Sequence, residues 1–127
     1  MSRKVIQTDS APSAIGIYSQ GILTDQLIYT SGQIPIDPHS GDLITGNFKA
    51  EVRHVLSNLD AVLIGGGSSL QSAVKLTVYL TDLSYFSAVN DVFQEFFNAD
   101  PPARSAVQIS ALPMNARIEI EAVGKVE

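Results

Sequence analysis

Residues 47–81 read NFKAEVRHVLSNLDAVLIGGGSSLQSAVKLTVYLT and contain the two most regular patterns of the chain. The first is an apolar stripe that recurs at helical spacing over residues 48–63, which predicts an amphipathic helix. Asn47 can cap the start of this helix, and the glycines at 65–67 can end it in the left-handed conformation. The stripe consists of Phe48, Val52, Val55, Leu56, Leu59, Val62 and Leu63.

The second pattern is strict alternation of apolar and polar residues over 73–81, which predicts a half-buried strand. Its apolar face would contain Val74, Leu76, Val78 and Leu80. The glycines at 65–67 also suggest a phosphate-binding loop, but they follow a helix and no Lys-Ser/Thr pair comes after them. Capping of the helix is therefore the favoured role for these glycines.

The sequence predicts further strands on both sides of this unit. Residues 3–8 resemble a short strand, and residues 21–24 and 27–31 suit a hairpin around Asp25-Gln26. Two final strands are predicted near residues 104–110 and 117–126.

A second helix is predicted to begin at Ser84 as its cap and to stop at Asp100-Pro101-Pro102, because proline cannot continue a helix. Its apolar positions are Phe86, Val89, Phe93, Phe96 and Phe97. This spacing assigns the aromatic residues mainly to the core. The order of elements favours an α/β (α+β) fold over residues 1–127 as a single domain, a mixed sheet with two helices packed on one face. The other face then needs solvent or a partner.

Composition excludes several classes of protein. Hydrophobic residues make up 45% and charged residues 17% of the 127 residues, which argues against intrinsic disorder. The net charge of −5 disfavours nucleic acid as a partner. No cysteine is present, so disulfides and thiol chemistry are excluded. With His39 and His54 the only histidines, we expect no metal site, and both are interpreted as surface residues.

Charged residues are missing from long parts of the chain. Residues 10–24, 26–36, 61–74 and 105–116 contain no Asp, Glu, Lys or Arg. Because a small domain has little interior, some of this uncharged surface is expected to face another protein. A closed homo-oligomer is the favoured explanation, and a different partner would leave the same pattern. The N-terminus has no apolar segment typical of a signal peptide, and no stretch is long enough to span a membrane, so we expect a cytoplasmic protein.

Arg104 is the candidate binding residue that stands out. It is the only charged residue between Asp100 and Arg117, and Pro101 and Pro102 restrict the segment that presents it. A planar guanidinium on a stiff mount suits bidentate capture of a carboxylate. An ordinary salt bridge at an edge strand is the alternative.

Three further residues are candidates for chemistry. Glu119 and Glu121 lie two apart on the last predicted strand, so both point to the face opposite its apolar residues. A carboxylate aimed at a pocket could deprotonate a water, although solvent exposure would also explain the alternation. Tyr18 lies in an uncharged loop and could offer its phenol to a ligand or to the backbone.

Five segments together resemble the RidA family, the YjgF-type enamine/imine deaminases. They are IGIYSQG at 15–21, TSGQIP at 30–35, VKLTVYLTD at 74–82, PARS at 102–105 and IEIEA at 118–122. The segments follow family order over essentially the whole chain. Two positions depart from the family pattern: Ile17 replaces the usual proline before the tyrosine, and Ala106 stands where many members have cysteine.

The resemblance implies a chorismate-mutase-like fold and a homotrimer in which the sheets form an inner β-barrel with three clefts between subunits. It also implies an enzyme, a 2-iminobutanoate/2-iminopropanoate deaminase that hydrolyses 2-enamino and 2-imino acids such as 2-aminoacrylate to 2-keto acids and ammonia. Such intermediates leak from pyridoxal-phosphate enzymes, but the deaminase itself uses no cofactor. Neither a nucleic acid nor a membrane is implied as a partner.

The resemblance assigns roles to particular residues. Arg104 matches the arginine that binds the substrate carboxylate, helped by the backbone N–H near Ala106. Tyr18 and Glu119 match the residues that position the attacking water. The cleft would also be lined by three residues: Ser31, Gly32 and Asn90.

Two other functions remain open at this point. A 2-keto-acid-binding or chaperone-like trimer would keep the cleft without turnover. An endoribonuclease, an activity proposed for family members, is disfavoured by the acidic charge balance and by the lack of a histidine pair or basic stripe.

Overall fold

The computed structural model describes residues 3–127, which form a six-stranded sheet with two α-helices. In chain order the elements are β1 (Arg3–Ile6), β2 (Gly21–Thr24), β3 (Leu27–Thr30), α1 (Phe48–Gly65), β4 (Ala73–Leu80), α2 (Phe86–Phe96), β5 (Ala103–Gln108) and β6 (Ile118–Lys125). Short 3-10 turns occupy Leu70–Ser72, Leu83–Tyr85 and Pro113–Asn115. The predicted helices, hairpin and strands are thus confirmed, with some ends shifted by one or two residues.

The sheet is mixed, as the sequence predicts. Its strand order is β1-β2-β3-β6-β4-β5. The neighbours β4 and β5 are parallel, and every other neighbouring pair is antiparallel. The strand β5 therefore forms one edge of the sheet, and β6, the last strand in the chain, lies near its centre.

One face of the sheet carries both helices. The apolar stripe of α1 is buried, except that Phe48 at its start is only partly buried, and it packs in one cluster with α2 and with the inward side chains of β4 and β6. The Asn47 side chain accepts a hydrogen bond from the Ala50 N–H at 3.0 Å and so caps α1. Of the three glycines at 65–67, which end α1, only Gly67 adopts positive φ (+94°). The cap and the glycine end are confirmed.

The sequence placed Val74 on the apolar face of β4, and this was wrong. The register between β4 and β6 shifts between Ala73 and Lys75, which is a β-bulge. A bulge adds a residue to one strand and changes the face that its side chain meets. Val74 is consequently 44% exposed, whereas the other three apolar residues of the pattern are buried.

The predicted cap of the second helix was also wrong. The Asp82 side chain accepts a hydrogen bond from the Ser84 N–H at 2.8 Å and caps the 3-10 turn that precedes α2. An aspartate carboxylate is a stronger acceptor than a serine hydroxyl for this role. The helix α2 ends at Phe96, before the two prolines, and Asp100 has positive φ (+50°) in the connection to β5.

The second face of the sheet has no helix over it in residues 3–127. Val5, Tyr29 and Val107 lie on this open face with more than 40% of their surface exposed. Most of the other exposed large apolar side chains, such as Ile15 and Ile17, also belong to the uncharged segments of the sequence. None of the helices in the described part of the chain has the length and apolarity needed to span a bilayer.

Candidate active site

Glu119 lies on β6, at the point where the segment after β3 runs beside it. Gln33 and Ile120 exchange two backbone hydrogen bonds, of 2.9 and 3.0 Å, which fix this contact. Gly32 therefore meets the Glu119 side chain: a Cβ at Gly32 would lie 2.7 Å from both the Cδ and the Oε2 of Glu119. Gly32 does not have positive φ, so the glycine is required here for space.

Tyr18 and Glu119 line the same cavity, of about 410 Å³. The walls between them are mainly apolar and include Ile15, Ile34 and Met114. We call this the Glu119 cavity. The Tyr18 hydroxyl accepts a hydrogen bond from the Ile15 N–H at 3.2 Å, so the phenol bonds to the backbone of its own loop and keeps its O–H as a donor.

Gln20 organises the loops around the Glu119 cavity. Its buried side-chain amide accepts from the Thr8 N–H at 2.7 Å and donates to the carbonyls of Thr8 and Pro12 at 3.0 and 2.8 Å. The Ser31 hydroxyl donates to the Ser19 carbonyl at 2.6 Å. The Gln20 bonds hold the start of the loop that carries Tyr18, and the Ser31 bond joins that loop to the segment that carries Gly32.

The Glu119 carboxylate is held in a partly buried position without a cation. Burial raises the pKa of Glu119, and the nearby negative charge of Glu121 raises it further. Within residues 3–127 the Glu119 carboxylate makes no ion pair. Glu121 accepts a hydrogen bond from the Tyr79 hydroxyl at 3.1 Å, and burial is the main cause that raises the pKa of Tyr79. A carboxylate with a raised pKa is a better base for water than an ordinary one.

Arg104 lies on β5 and turns toward α2. Its Nη1 donates to the Asn90 Oδ1 at 2.7 Å. Its guanidinium carbon lies 4.9 Å from the centre of the Phe86 ring and 5.2 Å from that of Phe93. A second cavity, of about 430 Å³, opens beside these residues and also contacts Pro102. We call it the Arg104 cavity.

The backbone of β5 also presents donors near Arg104. The Ile109 N–H donates to the Leu80 carbonyl at 2.8 Å and so points toward β4. Successive N–H groups along a strand alternate in direction, so the N–H groups of Arg104 and Ala106 point to the free edge of the sheet. Ala106 thus offers a backbone donor on the same strand as the guanidinium.

The two cavities lie on opposite faces of the sheet. Arg104 is in register with Leu76, which belongs to the core under the helices. Glu119 is in register with Tyr79, which in turn pairs with Val107, and these side chains point to the open face. Within one chain, the predicted site residues thus form two separate groups. The first group contains Tyr18, Ser31, Gly32 and Glu119. The second group lies on the other side of the sheet and contains Arg104, Asn90 and Ala106.

A second arginine cluster, around Arg117, was not predicted from the sequence. The Arg117 Nε donates to the buried Glu51 carboxylate at 3.1 Å, and a second contact joins its Nη2 to the same group. Its Nη1 donates to the Tyr85 hydroxyl at 3.1 Å. One signal was available, because Glu51 lies three residues after Phe48 and four before Val55, within the apolar stripe.

Asn58 was also not predicted as a structural residue, although it lies on the same side of α1 as the apolar stripe. Its buried amide donates to the Ile36 carbonyl at 2.9 Å and so supports a wall of the Glu119 cavity.

The two histidines lie apart, and one prediction for them was wrong. His39 is exposed, as expected, but His54 is half-buried and its Nε2 is buried without a hydrogen bond in the described structure. Across residues 3–127 no group of three or more His, Cys, Asp or Glu side chains could hold a metal ion.

Comparison with known proteins shows similarity over nearly the whole chain. A family model described as Endoribonuclease L-PSP matches residues 8–126. A 2-iminobutanoate/2-iminopropanoate deaminase of Rattus norvegicus is 47% identical over 121 residues, which cover 95% of this chain and 88% of the relative.

Two solved structures are similar in both sequence and fold. YyfA of Yersinia pestis, described as a protein of unknown function of the conserved Rid family, superposes with a TM-score of 0.95 at 44% identity, over 98% of this chain and all of that one (100%). TdcF of Escherichia coli, solved with bound serine, superposes with a TM-score of 0.92 at 38% identity, over 98% of this chain and 99% of the other.

Proposed function

Because the chain belongs to the YjgF/RidA family, whose relatives include imine deaminases, we propose that it hydrolyses 2-enamino and 2-imino acids to 2-keto acids and ammonia. Compounds such as 2-aminoacrylate and 2-iminopropanoate are the proposed substrates. The proposal makes the protein a hydrolase that acts on a C=N bond. No cofactor takes part in it, and the proposed location is the cytoplasm.

The single observation that carries the proposal is that the Arg104 guanidinium lacks a carboxylate partner in the described part of the chain. Within residues 3–127 its guanidinium makes one hydrogen bond, to Asn90, and pairs with no carboxylate. Four of its five N–H donors are left for a ligand. A planar carboxylate is the acceptor that this geometry binds best, and every 2-imino acid has one. The serine bound to TdcF is an amino acid that also has a carboxylate.

The proposed site is composite, with each cleft formed by two subunits. Arg104 and Glu119 of one chain lie on opposite faces of the sheet, so one chain cannot bring both to one small substrate. In the proposed homotrimer the open faces of the sheets form an inner β-barrel and cover the exposed apolar side chains of that face. Arg104 of one subunit then faces the Glu119 cavity of its neighbour.

The proposed chemistry is the addition of one water to an electrophilic carbon. Arg104 and the Ala106 N–H hold the substrate carboxylate, and Asn90 steadies the arginine. Glu119 takes a proton from water as the oxygen attacks the iminium carbon, while Tyr18 donates a hydrogen bond and Ser31 and Gly32 line the cleft. The carbon–nitrogen bond of the resulting carbinolamine then breaks, so R–C(=NH2+)–COO− and H2O yield R–CO–COO− and NH4+.

The raised pKa of Glu119 suits this step. Burial and the Glu121 charge favour transfer of a proton to Glu119 when the water attacks. The same proton can then be returned to the departing nitrogen. No metal or redox group is needed, since the iminium carbon is already electrophilic.

Imine loss during enzymatic generation of the substrate tests the proposal. An amino-acid oxidase produces the imino acid in situ, and semicarbazide traps the fraction that has not yet been hydrolysed. We expect the wild-type protein to reduce the trapped fraction and Arg104→Ala to lose this effect, by at least about thirtyfold in kcat/KM. Equal rates for the wild type and Arg104→Ala would refute the catalytic role of Arg104.

Mixing two inactive variants tests the composite cleft. Arg104→Ala and Glu119→Gln each damage a different half of the site. If the clefts lie between neighbours of a closed ring, random trimers refolded from an equal mixture have about one quarter of their sites intact. If each chain held a complete site, the mixture would stay as inactive as the two parents.

The same measurements separate the other functions. A trimer that only binds 2-keto acids would give a calorimetric signal with pyruvate but no imine loss. Endoribonuclease activity, the description of the matching family model, would have to survive both extra purification and Arg104→Ala. The net charge of −5 disfavours that function.

A further inference from the structure

Three residues of α2 form one stripe against Arg104. Phe86, Asn90 and Phe93 are spaced by four and three residues, which places them on one side of the helix. Asn90 accepts a hydrogen bond from Arg104, and the two rings lie within about 5 Å of its guanidinium carbon. The sequence predicted that both phenylalanines belong to the core, but it did not predict that their rings also contact the Arg104 guanidinium.

These contacts restrict Arg104 before any ligand binds. An aromatic ring attracts a cation placed near it, and the amide oxygen of Asn90 fixes one N–H group. A free arginine side chain loses conformational entropy when a ligand immobilises it. If the protein has already restricted the side chain, a smaller loss of conformational entropy opposes the binding of a carboxylate.

Arg117 shows what this arrangement does when a carboxylate is present. Its guanidinium carbon lies 5.3 Å from the Phe48 ring and 5.2 Å from the Tyr85 ring, while two of its N–H groups bind the Glu51 carboxylate. The rings thus flank an arginine that is binding a carboxylate. Arg104 has a comparable pair of rings, Phe86 and Phe93, but pairs with no carboxylate within residues 3–127.

We propose that Phe86 and Phe93 are positioning residues, which hold the Arg104 guanidinium by cation–π contact and thereby set the affinity for the carboxylate of a 2-imino or 2-keto acid. This inference rests on the proposed function of the same site. In the proposed reaction the rings contact Arg104 and take no part in the addition of water, so the rate of that step should not depend on them. Their loss therefore raises KM and leaves kcat nearly unchanged.

Phe86 is the position to test. It is 36% exposed, whereas Phe93 is 9% exposed and belongs to the core, so its replacement would disturb folding. In Phe86→Leu the apolar character is kept and the ring is lost. In Phe86→Trp a ring face is retained, and indole is the strongest cation–π partner among the side chains.

The experiment measures KM and kcat in the imine assay, together with Kd for 2-oxobutanoate by titration calorimetry. We expect Phe86→Leu to raise KM and Kd by about threefold to tenfold, with kcat within twofold of the wild type. Phe86→Trp should restore both constants. Phe48→Leu is the matched control, because it removes a ring from Arg117; it should lower the urea midpoint and leave KM and Kd unchanged.

Three outcomes would overturn the inference. KM and Kd could be unaltered in Phe86→Leu, Phe86→Trp could be as impaired as Phe86→Leu, or kcat could fall with KM unchanged. If the wild type binds 2-oxobutanoate without imine hydrolysis, the proposed function fails while the Kd values still decide this inference. If the wild type neither binds nor turns over, both fail, since Arg104 then receives no carboxylate.

Discussion

Arg104 and Arg117 have similar aromatic surroundings and different acceptors. Each guanidinium lies between about 4.9 and 5.3 Å from two ring centres. Arg117 bonds to the carboxylate of Glu51 and the hydroxyl of Tyr85, so its charge is neutralised within the chain. Arg104 bonds to a neutral amide and keeps four donors. The first arrangement stabilises the fold, and the second is available to an external anion.

The same contrast separates the carboxylates of Glu51 and Glu119. Glu51 is 2% exposed and is matched by a cation, which offsets the cost of burying its charge. Glu119 is partly buried beside another carboxylate, it pairs with no cation within residues 3–127, and its pKa is raised. In that part of the chain, Arg104 thus lacks a carboxylate partner on one face of the sheet, and Glu119 lacks a cationic partner on the other face. Such incomplete groups are typical of a functional site.

The largest expected effect comes from removal of the unpaired carboxylate. Glu119→Gln should lower kcat at least about a hundredfold, because the water loses its base. It should also make the protein more stable at neutral pH. Since the folded-state pKa of Glu119 is raised, ionisation costs stability as the pH rises through that pKa, and glutamine avoids this cost. Imine assays and urea unfolding measure both effects; a destabilised variant would contradict the comparison.

The paired carboxylate should behave in the opposite way. Glu51→Gln leaves Arg117 without its anion, and we expect the free energy of unfolding to fall by about 2 kcal/mol, between the values for exposed and buried pairs. Urea unfolding should show a lower midpoint with an unchanged slope. KM and kcat of the folded protein should stay at wild-type values. A selective loss of kcat here would show that Arg117 belongs to the site.

A smaller effect on kcat is expected from Gly32→Ala, because the added methyl group would collide with the Glu119 side chain. The added Cβ would lie 2.7 Å from the Glu119 carboxylate and must displace it. We expect kcat to fall about tenfold, less than on removal of the group itself. A double-mutant cycle with Glu119→Gln supplies the control: the two losses should not add if both act on one carboxylate. If the two losses of kcat were fully additive, Gly32→Ala would act on a group other than the Glu119 carboxylate.

The smallest effect concerns pH. The base form of Glu119 is required, so kcat/KM should fall as the pH drops through its pKa, which lies above that of an ordinary glutamate. In Glu121→Gln the neighbouring negative charge is lost, which lowers the pKa of Glu119 and moves the acid limb to lower pH. Tyr79 bonds to Glu121 and is the other titratable group on this face that contacts the pair. If the acid limb of Glu121→Gln lies at the same pH as that of the wild type, the charge of Glu121 does not affect the pKa of Glu119.

Local patterns predicted most of the fold. The stripe of α1, its Asn47 cap and the hairpin around Asp25 were confirmed because each depends on neighbours along the chain. The errors at Val74 and Ser84 occurred where pairing with β6 and a competing acceptor, Asp82, decided the outcome. No periodicity in one strand reports a bulge that forms against another.

The candidate site was predicted only as a set of residues. Arg104 stood out by its isolation, and the five family-like segments named Tyr18, Glu119 and their neighbours. Which of these residues meet could not be predicted, because strand register sets the face on which each side chain lies. The cation–π contact of Phe86 was not predicted for the same reason, because the face of β5 on which Arg104 lies decides whether its side chain meets α2.

The order of elements, the acidic charge, the absence of cysteine and the family of the chain all follow from the sequence alone. These properties depend on residue types and on short-range spacing. The three-dimensional packing was needed to show that Arg117 has a carboxylate partner while Arg104 has none within residues 3–127, and that Arg104 and Glu119 point to opposite faces. The physical reason is that pairing and burial join residues far apart in the chain, and the free energy of a charge depends on what surrounds it.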